Sequence, residues 1–480
     1  MTAPPLPAAT VEAAADDGTD PRGLRRTLAA LLLITMFAGF QQSYFTPLFH
    51  TLGDRYHVGV TALAWTVTGP ALTAALATPL LTALAQRHGH RRVLRATTAA
   101  VAAGAALIAI APDYPLLLAG RVLQGCLAAF LPLMTGLVRH RHGIRSTRKA
   151  VAHLSAALML GVLLGSACSS LLLRAAGTGA VLWVPAAGTL AGLLLLLRTP
   201  AAADRPPARD ARVDWPAALL LAAALVLIVL ALQEGAAWGW RSPATLGSIA
   251  AGTLLLGAWF RTQLRSPAPL IDVRRLLRPR LLPVFAVGCS VHYVVFGGQV
   301  SYSTYLTQPT ALALPTSAVG LVLLPALCGM TLFSACTSRL GQAIGHRRVT
   351  VLGAVLVALG AVALLLRHSQ AADLTVALGL AGSGAGLISG ATRILIVDAV
   401  RTEETAAGSG LFELLVSLGT AVGSAVTAAV LDAQHSSPHA YTNAWAASAA
   451  VALLGLAAAF LLPADRASSR RLRGGRPRDR

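Results

Sequence analysis

Fourteen blocks of apolar residues divide this chain. They run approximately over 28–49, 60–84, 93–111, 115–138, 150–173, 179–197, 214–233, 244–262, 282–306, 315–338, 349–366, 374–397, 405–430 and 441–462. Blocks of about 20 residues match the roughly 30 Å hydrocarbon core of a bilayer at about 1.5 Å rise per residue. Helices are expected, because a helix satisfies its backbone amides within the segment. A membrane β-barrel alternates apolar and polar residues, and runs such as Leu193 to Leu197 do not. Of the 480 residues, 55% are hydrophobic and 12% charged, against roughly 25% charged in a soluble chain. The expected fold is an all-α polytopic membrane protein embedded in lipid.

Charge sets the orientation. Arg22, Arg25 and Arg26 precede the first block. Basic clusters follow the second (Arg87, Arg91, Arg92, Arg95), fourth (Arg139, Arg141, Arg145, Arg148, Lys149), sixth (Arg198, Arg205, Arg209, Arg212) and eighth (Arg265, Arg274, Arg275, Arg278, Arg280) blocks. Arg347 and Arg348 follow the tenth, Arg401 the twelfth, and seven arginines fill the C-terminal tail. The alternate loops carry at most about one arginine each. An even count with this alternation places both termini in the cytoplasm, in a multi-pass protein of the cell membrane. The net charge of +20 is thereby explained by position, and nucleic acid is not an expected partner.

The chain repeats itself. Residues 86–93 read Gln-Arg-His-Gly-His-Arg-Arg-Val and residues 342–349 read Gln-Ala-Ile-Gly-His-Arg-Arg-Val, identical at six of eight positions. Each stretch follows the second block of a six-block group. Two pseudo-symmetric six-helix bundles with an inserted helix pair are expected, an arrangement many secondary transporters use. The boundaries are a disordered tail over 1–23, a bundle over 24–198, the inserted pair with its loops over 199–280, a second bundle over 281–464 and a basic tail over 465–480.

The loop Thr82-Ala83-Leu84-Ala85-Gln86-Arg87-His88-Gly89-His90-Arg91-Arg92 resembles the signature after the second helix of the major facilitator superfamily. The resemblance implies a gating role for Gln86, Arg87, Gly89, Arg91 and Arg92, and for Gln342, Gly345, Arg347 and Arg348 in the repeat. Gln86 stands where the family carries an acid. Arg121-Val122-Leu123-Gln124-Gly125 resembles the family's Arg-x-x-Gln-Gly motif. In the fifth block Gly161 and Gly165 match the antiporter motif, with Ser166 at its proline and Ser169 and Ser170 at its double glycine. Gly125, Gly161 and Gly165 are expected to allow close helix packing. Glu234, Gly235, Trp238, Gly239, Trp240, Phe260, Pro269, Leu270 and Ile271 look like the 14-helix drug:proton antiporter branch. So do Tyr305, Leu306, Gly320 and Pro325 and the glycines between Gly382 and Gly423.

Ionisable groups inside the blocks are few, and such groups are functional candidates by default. Arg121 is expected to face a cavity or a partner, either as a coupling group with Glu413 and His292 or as a structural arginine bonded to carbonyls of adjacent helices. Glu413 is the best carboxylate for proton coupling, either unpaired or paired with Arg393. Arg393 and Asp398 are candidates for a gate ion pair or for loop anchoring. His292 lies near the middle of its block and is either a coupling group or a neutral histidine bonded across helices. Where the branch carries an aspartate in the first helix, this chain reads Gln41-Gln42-Ser43-Tyr44. Gln41, Gln42, Tyr44, Gln124, Tyr293 and Gln299 are candidates for hydrogen bonds to a substrate. Gly297 and Gly298 are expected to loosen the ninth helix. The central site is expected from helices 1, 4, 9 and 13.

No phosphate-binding loop, metal-ligand cluster or nucleophile constellation stands out, so neither an enzyme nor a cofactor or metal is expected. The five cysteines lie in apolar blocks and read as packing residues. Three functions remain open on the sequence. The first is a monomeric secondary transporter that exports small organic compounds, such as drugs or secondary metabolites, against protons. The second is a facilitator or importer of the same fold without proton antiport. The third is a transport-inactive membrane receptor.

Overall fold

The computed structural model describes residues 21–139, 144–199, 214–266, 269, 273–276, 278–399, 405–434 and 437–463. The tails beyond 20 and 463, the basic residues Arg141 and Arg205 to Arg212, and Leu270, Ile271 and Arg401 lie outside the described residues, as does the side chain of Asp398. Among the described residues, thirteen helices are long and apolar enough to cross a membrane. One of these runs Ile144–Arg198 and is two helices joined at Gly177. There the backbone takes φ 75° and ψ 179°, a conformation essentially confined to glycine. The count is therefore fourteen.

In chain order, α1 is Pro21–Ser43, continued by a 3-10 turn and by Phe49–Tyr56. Then come α2 (Val60–His88) and α3 (His90–Ile110). Helix α4 starts at Tyr114, passes through a 3-10 turn at Gly125–Ala129 and ends at Arg139. The two parts of the joined helix are α5 (144–176) and α6 (178–198). Helices α7 (Trp215–Trp238) and α8 (Pro243–Arg265) form the inserted pair. Helix α9 runs from Leu282 to Thr307 with a π turn at Tyr293–Gly297. The rest are α10 (Thr316–Ile344), α11 (His346–Leu366), α12 (Ala371–Ala399), α13 (Thr405–Ala433) and α14 (Pro438–Phe460). Several helices outrun the apolar blocks by a turn, because basic and histidine residues continue the helix beyond the hydrocarbon. An even number of spans puts the start of α1 and the end of α14 on one face, here the tail face; the other is the far face.

Small residues set the helix spacing. Gly39 of α1 meets the backbone of Leu158 and Val162 on α5, while Gly161 and Gly165 meet Met36 and Phe40 in return. A Cβ at any of the three would collide with main chain, so α1 and α5 lie backbone to backbone. Gly125 of α4 faces Pro70 and Thr73 of α2 in the same way.

The two bundles meet along α2 with α13 and along α5 with α10. Position two of each bundle thus packs on position five of the other, as a pseudo-two-fold requires. The sequence repeat obeys the same symmetry. Gly89 (φ 90°, ψ 137°) and Gly345 (φ 92°, ψ 143°) share one positive-φ conformation between a bundle's second and third helices. Arg91 donates through Nη2 to the carbonyl of Thr199 and, at 2.8 Å, to its hydroxyl, closing the end of α6. Arg347, at the matching position, donates to the carbonyl of Phe460 at the end of α14, at 2.9 Å. Each arginine satisfies a terminal carbonyl on the sixth helix of its own bundle. The inserted helix α7 lies against α8, α13 and α2, across the seam between the bundles.

Candidate functional site

A polar chain crosses the first bundle. Pro70 in α2 has no amide hydrogen, so the carbonyl of Thr66, four residues back, loses its helical donor. Arg121 supplies one: its Nε donates to Thr66 O at 3.0 Å. Its Nη1 donates to Gln124 Oε1 at 2.6 Å. Gln124 passes the chain on, donating to Gln41 Oε1 at 2.6 Å, and Gln41 donates to Thr189 Oγ1 of α6 at 2.9 Å. The guanidinium lies 4.5 Å from the centre of the Phe45 ring, a cation–π contact that strengthens as water is excluded. Arg121 is 7% exposed, and Gln41 and Gln124 are 1% exposed. Burial at that depth is tolerable because Arg121, Gln124 and Gln41 are hydrogen-bonded to one another and to Thr66 and Thr189. Tyr44 lies against the same guanidinium and amide, fully buried, with its hydroxyl outside hydrogen-bonding geometry. Gln42, about 100° around α1 from Gln41, is exposed.

A second ionisable cluster stands in the other bundle, nearer the tail face. Arg393 of α12 and Glu413 of α13 form an ion pair, Nη2 to Oε1, at 3.1 Å. Its side chains are 37% and 22% exposed, so the pair is partly wetted. His292 of α9 lies within electrostatic reach of the same guanidinium. Its Nδ1 is 3.0 Å from Gly288 O, and its ring stacks on Phe296 with centroids 5.0 Å apart. Of the two alternatives the sequence offered for Glu413, the structure shows the one paired with Arg393; His292 is bonded within its own helix and stands in the same half of the membrane.

The loosening expected at Gly297 and Gly298 takes the form of the π turn at Tyr293–Gly297. Such a turn displaces backbone groups from their usual partners. Tyr302, two turns on, donates its hydroxyl to Val294 O at 2.7 Å. Gly298 is required beneath it, since a Cβ there would strike the tyrosine ring.

Four hydrogen bonds join the bundles in the far-face half of the membrane. Thr46 Oγ1 donates to Gln299 Oε1 at 3.1 Å, and Ser303 Oγ donates to Thr46 O at 2.8 Å. Ser424 Oγ donates to Ala64 O at 3.2 Å, and Gly320 N donates to Ser170 Oγ at 3.1 Å. A small cavity lies between the bundles against this seal. Ser43 and Thr46 of α1, Ser166 of α5, Phe296, Gln299 and Tyr302 of α9, Met330 of α10 and Ala381 of α12 line it. It is apolar with a few hydroxyls and one amide, and at about 60 Å³ it is smaller than the roughly 300–1,000 Å³ of a small-molecule site. Helices α5, α10 and α12 thus join α1 and α9 as lining elements, while Arg121 of α4 and Glu413 of α13 stand back from the cavity. Tyr293 instead lines a shallow apolar crevice between α9, α13 and α14, beside Cys289 and the exposed Leu454.

Ser43, Thr46, Thr66, Thr189 and Ser303 were not singled out by sequence. Single hydroxyls in apolar helices are common, so only Pro70, four residues past Thr66, offered a signal. Gln86, Arg87, Arg92, Gln342 and Arg348 are exposed at the tail face. No group of His, Cys, Asp and Glu that could hold a metal occurs among the described residues.

Two six-helix bundles around a central cavity, sealed on one face, define a transporter fold. The sequence pattern of the Major Facilitator Superfamily matches residues 31–325 and 300–479, and the chain belongs to that family. It is 25% identical over 370 residues to the multidrug resistance protein Stp of Mycobacterium tuberculosis, covering 76% of this chain and 68% of that protein. It is 27% identical over 405 residues to the multidrug efflux pump LfrA of Mycolicibacterium smegmatis, covering 82% and 78%. The human organic anion transporter MFSD10 shares the fold, with a TM-score of 0.63 at 16% identity over 93% of this chain and 100% of that one.

Proposed function

We propose that the protein exports small organic compounds from the cytoplasm by alternating access, driven by the proton gradient. The observation that carries this reading is the asymmetric closure of the central cavity. Among the described residues, four of the five interbundle hydrogen bonds lie toward the far face and the fifth, Thr331 Oγ1 to Met159 O, lies at mid-membrane, while the Arg393–Glu413 pair and His292 lie toward the tail face. The basic loops support a cytoplasmic tail face in the cell membrane, which makes this the inward-facing state of a monomer. The names of the relatives support drug efflux. Residues 24–198 and 281–464 are the moving bundles, and 199–280 carry the inserted pair.

Glu413 is the coupling group in this reading. Proton binding breaks its ion pair with Arg393 and frees α12 and α13 to move. Arg121 holds α1, α2, α4 and α6 as one rigid unit through its polar chain. Ser43, Thr46 and Gln299 contact the substrate.

The test is flux in liposomes under an imposed pH gradient, with a panel of amphipathic antibiotics. Gradient-dependent uptake that disappears in Glu413→Gln supports the reading. Full coupling in that variant refutes the role of Glu413. One observation favours a facilitator instead: Gln41 occupies the place of the branch's acid and is already bonded to Gln124 and Thr189. That alternative requires flux indifferent to the pH gradient.

A further inference from the structure

Glu234 sits one turn before the far-face end of α7, apart from the cavity and from the Arg393–Glu413 pair. Its Oε1 accepts from Trp65 Nε1 of α2 at 2.7 Å. Its neighbour Gln233 is fully buried and donates Nε2 to Thr61 O of α2 at 3.1 Å, leaving its own Oε1 without a partner. The inserted pair is thus fastened by side-chain bonds to the far end of α2. The next residue of α2 is Thr66, whose carbonyl receives Arg121. Adjacent residues of one helix therefore hold a carboxylate from the inserted pair and the guanidinium of the first bundle.

The carboxylate has no cation. Among the described residues Glu234 makes no ion pair. On α2, Arg87 and His88 lie at the tail-face end. On α4, Tyr114 is the near titratable group, its hydroxyl donating to Ala62 O, and Arg121 is engaged by Thr66 and Gln124. On α8, Arg261 and Arg265 lie in the tail-face turns, and Arg241 is exposed in the α7–α8 turn. On α13, Glu413 is paired with Arg393, and Asp432 stands in the last turn at the far face. An ionised carboxylate within a span is costly without a cation, and such groups mark proton paths. The indole N–H is a donor only, so the bond to Trp65 occupies one carboxylate oxygen of Glu234.

We propose that Glu234 is a proton-binding site of the transport cycle, supplied by the inserted helix pair at the far face. A proton from far-side water binds the carboxylate and weakens its bond to Trp65. That loosens α7 from the end of α2 that also carries the Ala64–Ser424 part of the seal. The transport role rests on the proton-driven reading above.

Infrared difference spectra of the full-length protein in lipid, acidic minus alkaline buffer, read carboxyl protonation without any substrate. Glu234→Gln is expected to remove one carboxyl band, and Trp65→Phe to shift that band. In pH-gradient liposomes with ethidium as the probe, Glu234→Gln is expected to cut gradient-driven transport at least tenfold while gradient-free exchange persists. Trp65→Phe is expected to weaken gradient-driven transport while gradient-free exchange persists, which a merely structural contact would not do. A complete set of bands in Glu234→Gln overturns the proposal, as does wild-type coupling in that variant or equal loss of exchange and driven transport. A wild-type protein with the band but without gradient-dependent flux overturns the proton-driven reading and, with it, the coupling role assigned to Glu234.

Discussion

Arg121 donates through Nε to the carbonyl of Thr66, the carbonyl that Pro70 leaves without a helical donor. A helix defect in α2 and a buried cation in α4 thus satisfy each other, and the match fixes the distance between the two helices. Arg121→Ala removes the donor and leaves Thr66 O and Gln124 Oε1 unpaired. The expected loss is about 1–3 kcal/mol, read as a lower melting temperature in detergent. Adding Pro70→Ala restores an amide for Thr66 O. The double variant is expected to be more stable than the sum of the single effects predicts, by about 0.5 kcal/mol or more. Additive single effects would refute the coupling between the two residues.

Glu413 and Arg393 form a partly wetted pair, so their mutual attraction is modest and the partner left behind can hydrate. Arg393→Ala is therefore expected to cost less than about 1 kcal/mol of stability while disturbing transport strongly. The exchange Arg393→Glu with Glu413→Arg is expected to recover part of the lost flux. Thermal melts and liposome flux on the same preparations separate the two effects.

The far-face seal provides a mechanical test. Thr46 and Ser303 stand side by side across the bundles. In a cysteine-free background, cysteines at Thr46 and Ser303 are expected to crosslink under oxidation and stop transport, with recovery on reduction. Uninterrupted transport by the crosslinked protein would show that this seal does not open during the cycle.

The α1–α5 contact has no room for a side chain at Gly161, where a Cβ would meet the main chain of Met36. Gly161→Val is expected to destabilise by at least about 1–3 kcal/mol, seen as a smaller monodisperse fraction after detergent extraction. Gly257→Ala serves as a control, because a Cβ there meets nothing within 4 Å.

Much of the fold was legible without coordinates. Apolar block length and the alternation of arginines gave the fourteen spans, because a bilayer imposes both constraints on every helix independently. The repeat at Gln86 and Gln342 was legible as a duplication; its shared φ at Gly89 and Gly345, and the matching caps from Arg91 and Arg347, follow from it. The site was less legible. Arg121 and Gln124 stood out by motif and proved bonded to each other. Gln41 and Gln42 looked equivalent, and only the helix phase of α1 separates a buried link in a polar chain from an exposed residue.

By itself, the sequence determined that this is a helical membrane protein of two similar bundles with an inserted pair, because hydrophobicity and charge are properties of each segment alone. Tertiary structure decided what those properties cannot encode: that Arg121 reaches Thr66, that Thr46 closes on Gln299 and Ser303, and that Glu234 reaches Trp65. Each of these joins residues from helices distant in sequence. Their meeting depends on small-residue packing and on carbonyls freed by a proline or a π turn, which exist only once the helices have found one another.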